Sequence, residues 1–352
     1  MNNSSANHVL LIAEIGQNHN GSVDLAKLLV DLVSRPVVEE SFGIDLCPID
    51  AVKLTKRDLN QELTDSAMRR EYKSPHAFGP TYGEHRRVLE LSDEEHLEVY
   101  RHAKDRAVQF VETICNPAAL SLLDHFLPDY IKVASRDLTN LPLLQAIAET
   151  RLPTIISTGM HGQKEIDQAL SILSQGVSDI SILHCVSEYP THPDNVNLLS
   201  IPYLIDQYPE IRIGYSDHTI GISASLAAVA MGARIIEKHV TIDRRMKGTD
   251  QAGSLGPDGV NRMTRDIRLF ERSLGQPGIH ISPESEKARV KLERSVATRR
   301  PIAKGSQIIE DDLWLLSPGN GLRWSQREKL IGRTALEDIP ANELILPEMV
   351  GR

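Results

Sequence analysis

Cysteine is scarce in this sequence: Cys47, Cys115 and Cys185 are the only three in 352 residues. So few, so widely scattered, they exclude a disulfide framework or a paired-cysteine metal knuckle, and the thiols are expected to be reduced and buried. Long apolar runs are missing too. No stretch of about 18 apolar residues occurs, and no charged-then-apolar segment opens the chain, so neither a membrane span nor a secretory signal is expected. The cytoplasm is the expected location. Positive charge is the third shortage, with a formal net charge of -9. Nucleic acid and anionic membrane both demand basic surface, so neither is expected as the main partner, although a local basic pocket is compatible with the total.

What is present is enough apolar residue, 41% of the chain, to build a large core. The length exceeds one typical domain, so one large and one small domain are expected. Apolar, β-rich runs cover 8–16, 50–55, 108–114, 129–135, 153–159, 179–187, 211–217 and 233–240. Most are nearly continuous in apolar character, as strands buried on both faces must be. Segments of helical period such as 93–107, 140–149, 164–175 and 220–231 separate them. Eight alternating β and α units within about 270 residues predict a closed (β/α)8 barrel.

In that fold the functional residues lie at the carboxyl ends of the strands. The polar residues there are Glu14, Lys53, Thr113, Lys132, Ser135, Ser157, Ser187, Tyr189, Ser216, His218 and His239. A strand-end serine or threonine taken singly more often caps the next helix. Two lysines at the ends of apolar strands are different, because desolvating them demands an anion, and Lys53 with Lys132 therefore point to a phosphate or carboxylate ligand. His218 and His239 close the last two strands, so both imidazoles reach one point. They either share a Mn, Fe, Co or Zn ion in an incomplete shell or donate hydrogen bonds within a polar mouth. His8, His19, His125, His192 and His280 read as surface or turn residues, and His184 as a hydrogen-bonded core histidine.

After residue 275 the pattern changes. Residues 276–293 read as a polar linker with a short helical tail. In 294–352 an internal repeat aligns "IAKGSQIIEDDL" (302–313) with "IPANELILPEMV" (339–350) without a gap. It matches Ile302 with Ile339, Ile308 with Ile345 and Gly305 with Asn342, the last two being the types that best take a left-handed turn. Two related β-turn-β units in a small β-rich domain are expected.

The stretches "LIAEIGQNHNG" (11–21), "DAVKL" (50–54), "YGEHRRVLELS" (82–92), "YIKVAS" (130–135), "STGM" (157–160), "LHC" (183–185), "GYSDHT" (214–219) and "IEKHVT" (236–241) closely resemble the sialic acid synthase family. The resemblance runs in order along essentially the whole chain. It implies a phosphoenolpyruvate-condensing barrel over 1–275 followed by a small antifreeze-like SAF domain. It further implies that phosphoenolpyruvate is held by Lys53, Thr113, Lys132, Ser135, Ser157, Ser187 and Ser216, with Ser187 standing where an asparagine is usual. A divalent cation, commonly manganese, with magnesium or cobalt as alternatives, is implied at His218 and His239. The acceptor aldose is implied near Tyr189, Asp137, Asp250 and Arg136. Glu14 is assigned to water positioning or proton transfer, with Asp250 as its rival. The implied assembly is a swapped homodimer in which each tail caps the partner's barrel, and the segment 56–92 is expected to lid the mouth.

Two departures bear on the acceptor. Ser317 stands where an arginine usually precedes the Pro-Gly of the tail, and Arg136-Asp137 stands where a Gly-Glu pair is usual. N-acetylmannosamine is the default acceptor, with diacetamido-trideoxyhexoses, mannose and a 6-phosphorylated hexosamine as competitors. An aldolase or isomerase on the same barrel, and a non-catalytic sugar-binding protein, are the readings from other classes.

Overall fold

The computed structural model describes residues 8–351. The chain divides into two units after Gly275. The first begins with β1 (Leu10–Gly16), α1 (Val23–Val33), a short antiparallel hairpin of β2 (Val37–Glu39) and β3 (Ile44–Leu46), and β4 (Ala51–Lys56). It continues with α2 (Asp65–Arg69), α3 (Tyr82–Leu89), α4 (Asp93–Asp105), β5 (Gln109–Ile114), β6 (Tyr130–Val133), α5 (Leu141–Thr150) and β7 (Thr154–Ser157). It closes with α6 (Gln163–Leu173), β8 (Ile180–Cys185), α7 (Ser200–Gln207), β9 (Arg212–Asp217), α8 (Ser223–Ala230), β10 (Ile235–His239) and α9 (Pro257–Ser273).

Eight of these strands form a closed parallel barrel in the order β1-β10-β9-β8-β7-β6-β5-β4. All eight expected strands are present, each within two residues of its expected bounds. The hairpin of β2 and β3 and the short helix α2 carry no strong periodic signal and are additions the pattern did not announce. Helix starts are written locally: Ser92 and Glu95 form a reciprocal capping box at α4, and Thr81 and Glu84 do the same at α3.

Side-chain alternation splits the barrel into an outside and an inside. Leu11, Ala13 and Ile15 of β1 face the helices and join the large outer core, as do Val52 and Leu54 of β4. Leu10, Ile12, Ala51, Val111, Ile155, Leu183 and Ile235 face inward and form a separate apolar plug. One step further along the same inward rows the residues become polar: Glu14 follows Ile12, Lys53 follows Ala51, Thr113 follows Val111, and Glu237 follows Ile235. The plug fills the amino-terminal half of the interior, and the polar layer starts directly above it.

Gln276–Arg352 is the second unit. It contains α10 (Pro283–Leu292), then β11 (Ser295–Thr298), β12 (Leu313–Leu316), β13 (Thr334–Ala335) and β14 (Val350–Gly351). The internal repeat is a repeat of pairing as well as of sequence. Thr298 pairs with Leu313 and Ala297 with Trp314; moving each position forward by 37 gives Ala335 with Val350 and Thr334 with Gly351, which are the pairs found in the second hairpin. Ile302 pairs with its own counterpart Ile339. Gly305 and Asn342 both hold positive φ, at 86° and 63°, as the turn reading required. Val296, Ile302, Ile308, Leu313, Leu330, Ala335, Ile339 and Ile345 supply this unit's own small core.

His19 is a turn residue, one of the two placements expected, but it is buried: 2% exposed, between β1 and α1. Its Nδ1 accepts a hydrogen bond from the Gly21 amide at 3.0 Å, so the ring is neutral. Burial, reinforced by His96 and Arg57, lowers its pKa to about 3. In the unfolded chain the ring binds a proton below about 6.5 and in the folded chain it does not, so stability falls as pH drops from 6.5. The contribution is at most about 1.4 kcal/mol per pH unit. Melting temperature measured between pH 7 and 5.5 is expected to fall more steeply in the wild type than in His19→Gln; equal slopes would remove His19 as the cause.

Candidate active site

The polar layer opens into a cavity of about 350 Å³ at the carboxyl end of the barrel. Its floor is a charge cluster. Lys53 Nζ lies 2.8 Å from Glu14 Oε2 and 3.7 Å from Glu237 Oε2, and donates to Thr113 Oγ1 at 2.9 Å. Lys132 Nζ lies 3.9 Å from the same Glu237 oxygen and donates to Ser157 Oγ at 2.6 Å. The other Glu237 oxygen accepts from Ser216 Oγ at 2.8 Å. All four charged groups are 5% exposed or less.

Two carboxyls and two ammoniums at this depth do not titrate alike. Burial pushes the Glu14 carboxyl up to about 7, against the pull of Lys53 and with help from Glu237. Burial works against ionising Glu237 as well, but Lys132, Lys53 and the Ser216 hydroxyl prevail and hold it well below the usual carboxylate range. Lys53 stays above its ordinary value because Glu14 and Glu237 outweigh burial, whereas burial and Lys53 leave Lys132 below its own. The floor therefore carries one firm carboxylate, one proton-exchanging carboxyl and two cations.

Beside the floor is a hydroxyl cradle with no room for another carbon. The Gly159 amide donates to Ser135 Oγ at 3.0 Å. A Cβ on Gly159 would stand 2.4 Å from Ser187 Oγ, 2.8 Å from Ser135 Oγ and 3.0 Å from Cys185 Sγ. Glycine there lets two hydroxyls and an amide converge on one small volume, an arrangement suited to an oxyanion.

His218 and His239 face each other with ring centroids 5.6 Å apart, and Tyr189 stacks 4.0 Å from His218. His218 Nδ1 donates to the Val186 carbonyl at 2.8 Å, which leaves Nε2 as a lone pair. Burial holds His239 neutral, below its ordinary pKa, and its Nδ1 has no hydrogen-bond partner. Among the described residues, no group of three or more His, Cys, Asp or Glu side chains is placed to hold a metal ion. Two imidazoles, one with its Nδ1 engaged by a carbonyl and one with an orphaned nitrogen, nonetheless fit a divalent ion whose other positions are taken by water and substrate.

The rim is built by Arg57, one residue past β4, together with Arg86 and Arg136. Tyr72, Tyr82 and His85 stand beside them, so the segment after β4 does contribute to the mouth, as expected. Arg57 Nη1 lies 2.7 Å from Glu90, and Arg136 Nη1 2.7 Å from Glu62.

Thirteen of the fourteen expected site residues border this one cavity. Asp137 does not: it lies behind Arg136, 3.2 Å from its Nε. Ser317 and Arg323 are engaged within the second unit, Ser317 Oγ donating to Leu292 O at 2.8 Å and Arg323 Nε lying 3.3 Å from Glu293. His184 is the hydrogen-bonded core histidine expected, its Nε2 2.7 Å from Val196 O. The cysteines divide: Cys115 and Cys185 are buried at the cavity, but Cys47 is exposed, contrary to expectation. Glu237, Arg57 and Arg86 were missed. The first two carry a signal, since Glu237 is an acid two residues before His239 in an apolar strand, and Arg57 is on the Lys53 face by alternation.

A closed parallel barrel whose mouth carries buried lysines, a hydroxyl cradle and an imidazole pair defines a class of enzyme-like barrels. The particular family follows from comparison. The NeuB family model matches residues 44–278, and a SAF domain model matches 293–351. The chain belongs to the NeuB family, the group of sialic, legionaminic and pseudaminic acid synthases. It is 33% identical over 342 residues to the N-acetylneuraminate-9-phosphate synthase of Homo sapiens, covering 97% of this chain and 92% of that protein. It is also 33% identical over 344 residues to the N,N'-diacetyllegionaminic acid synthase of Campylobacter jejuni, covering 96% and 98%. The crystal structure of N-acetylneuraminic acid synthetase from Leptospira borgpetersenii, in complex with citrate, matches with TM-score 0.65 and 30% identity over 80% of this chain and 90% of that one. No helix among the described residues is long and apolar enough to cross a membrane.

The floor makes a prediction of its own. Removing the charge of Glu237 by Glu237→Gln takes away a repulsion on Glu14 and leaves both lysines to it, so the Glu14 carboxyl is expected to ionise at lower pH. Carboxyl-selective infrared or ¹³C NMR titration of the metal-free protein reads this directly, and an unchanged or raised Glu14 midpoint would overturn the charge assignment.

Proposed function

We propose that the protein is a nonulosonic acid synthase that condenses phosphoenolpyruvate with an N-acetylmannosamine-type aldose and water, giving a 3-deoxy-2-keto acid and phosphate. The observation that carries this reading is the pair of buried lysines, Lys53 and Lys132, in one cavity with the hydroxyl cradle beside Gly159 and the facing imidazoles of His218 and His239. Phosphoenolpyruvate brings two anionic groups to such a floor, and the aldose brings a carbonyl to the imidazole side.

In this reading Lys53 with Thr113, and Lys132 with Ser157, bind the carboxylate and phosphate, while Ser135, held by the Gly159 amide, and Ser187 close around the phosphate oxygens. Ser216 holds Glu237, whose fixed charge keeps both ammoniums aimed inward. Carbon 3 of phosphoenolpyruvate attacks the aldehyde carbon, water adds at carbon 2, and cleavage of the bond from carbon 2 to the ester oxygen expels phosphate. Glu14, with a pKa raised to about 7, is suited to take a proton from that water or return one to the leaving oxygen. A divalent ion, manganese first and magnesium or cobalt as alternatives, would be held by His218 and His239 and would supply Lewis acidity toward the aldehyde oxygen. Tyr189 and Asp250 border the same side and are assigned to the acceptor. The assembly proposed is a homodimer, which sedimentation of the full chain at twice 39.1 kDa would support.

The test is phosphate release from phosphoenolpyruvate, with and without N-acetylmannosamine, and mass detection of the keto-acid product. His218→Ala and His239→Ala are each expected to lower kcat by at least about a hundredfold, the order of effect of losing a catalytic electrostatic contact, and to weaken Mn²⁺ binding measured by calorimetry. A chelator-treated wild type that remains fully active would refute the metal assignment.

A further inference from the structure

Resting on the reading in which His218 and His239 share a divalent ion, we propose that Asp217 and Lys238 are positioning residues for that pair: a buried clamp on the outside of the barrel wall that sets the spacing of the two imidazoles. Lys238 of β10 is the register partner of Asp217 of β9, and the step below is Glu237 with Ser216. Each histidine is the next residue along the chain. Alternation sends Ser216 and Glu237 inward, and Asp217 and Lys238 outward. Both steps are cross-linked. Ser216 Oγ donates to Glu237 Oε1 at 2.8 Å on the inner face, and Lys238 Nζ lies 2.9 Å from Asp217 Oδ2 on the outer face. The two strands are thus tied from both sides at the two steps directly before the imidazoles.

The outer link also reaches past His218. Asp217 Oδ1 accepts from the Thr219 amide and the Thr219 hydroxyl, both at 2.8 Å, and from the Tyr215 hydroxyl at 3.3 Å. Its Oδ2 accepts from Ser225 Oγ of α8 at 2.6 Å. Lys238 Nζ donates in addition to the Thr219 carbonyl at 2.5 Å. His218 is therefore bracketed: the residues before and after it are tied to each other and to the residue that precedes His239. The His218 carbonyl accepts from the Thr191 amide at 3.0 Å, and that of His239 from the Leu255 amide at 2.8 Å. The backbone under both rings is held, and one ring is turned by its own bond to the Val186 carbonyl.

Stability alone does not account for this pair. The Lys238 and Asp217 side chains are 1% and 0% exposed, and the buried residues of the neighbouring α8 are Ser225, Ala228 and Val229. A buried ion pair is often no more stabilising than packed apolar residues of the same volume. Neither side chain borders the 350 Å³ cavity, so their charges do not face a ligand there. What the pair supplies is direction. Metal–ligand bonds hold to within about 0.2 Å, so an ion shared between two strand ends demands that the ends not slip. An ion-paired step with five donors on one carboxylate resists slippage, whereas apolar side chains at the same step could slide past each other.

The experiment combines Lys238→Met with Asp217→Asn in the full chain, so that neither charge is left buried alone. Mn²⁺ affinity measured by calorimetry is expected to fall about tenfold or more, the usual cost of removing an outer support of a metal site. The KM for phosphoenolpyruvate at saturating Mn²⁺ is expected to stay unchanged, because Lys53 and Lys132 are untouched. A pair that serves stability only would lower the melting temperature and leave Mn²⁺ affinity alone, and that result overturns the proposal. Thr219→Val, which removes one contact to Asp217 and little volume, is expected to weaken Mn²⁺ about threefold or more. Should the double variant not fold, this milder one decides in the same way. A wild type that binds no divalent ion refutes the metal reading separately, and the clamp is then decided in the metal-free protein by NMR cross-relaxation between the two histidine rings, whose centroids are 5.6 Å apart. A signal present in the wild type and lost in the variant upholds the clamp; a signal present in both, or absent from both, sinks it.

Discussion

Two ammonium groups buried at the centre of a barrel are tolerable only if carboxylates are buried with them, and this balance governs the rest of the site. Lys53 and Lys132 share one Glu237 oxygen at 3.7 and 3.9 Å, so neither is satisfied by it completely. Glu14 approaches Lys53 more closely, but a second full negative charge this close to Glu237 and this far from water is unfavourable, and its proton stays until near neutrality. The floor is thus left with more positive than negative charge. Burying that imbalance costs stability, which an anion bound at the floor would offset.

The apolar plug makes such a floor affordable in structural terms. Inward rows begin with Leu10, Ile12, Ala51, Val111, Ile155, Leu183 and Ile235, which close the barrel from below and join its strands through a water-free layer. Polar residues enter only on the next inward step, where the open end can hydrate or bind them. Glu14 pairs with Lys53 on one side and His239 on the other, while Glu237 pairs with Ile12 and Lys53 with Val111, so the polar layer and the plug interlock from strand to strand. The outer rows are mainly aliphatic but carry buried pairs of their own, His96 with Glu112 and Lys238 with Asp217, where strand meets helix or loop.

The barrel was readable in the sequence because buried parallel strands are long apolar runs, and each of the eight stood out. The site was readable where a strand ended, since polar residues at the edge of an apolar run mark the mouth; hence Lys53, Lys132, His218 and His239. Glu237 escaped because it sits inside its strand, one inward step below His239, where a search confined to strand ends does not look. Arg57 and Arg86 escaped for a different reason. They lie in the connection after β4, whose two short helices have no strand period, and only the folded chain brings them to Arg136. His19 was legible as a turn residue but not as a buried one, because a polar turn side chain is ordinarily exposed, whereas this one is enclosed near His96 and Arg57. The tail repeat was legible for the opposite reason: Gly305 and Asn342 stand at turns that exclude most other side chains, so local chemistry alone fixed the register.

The lysines of the floor and the arginines of the rim differ in kind, and the difference has a physical logic. Lysine is a compact point charge on a flexible stem, suited to a floor where hydroxyls supply the directionality and a proton must move nearby. Arginine is permanently charged and planar, suited to a rim that must hold its shape when no ligand is present. Glu62, Gln17 and Tyr82 impose that shape from behind, each meeting a guanidinium on a different side. In a chain of net charge -9, five cations and three carboxyls border this one cavity. An acidic exterior around a basic mouth directs small anions to the opening and away from the remaining surface, so the negative total sharpens the local positive field rather than opposing it.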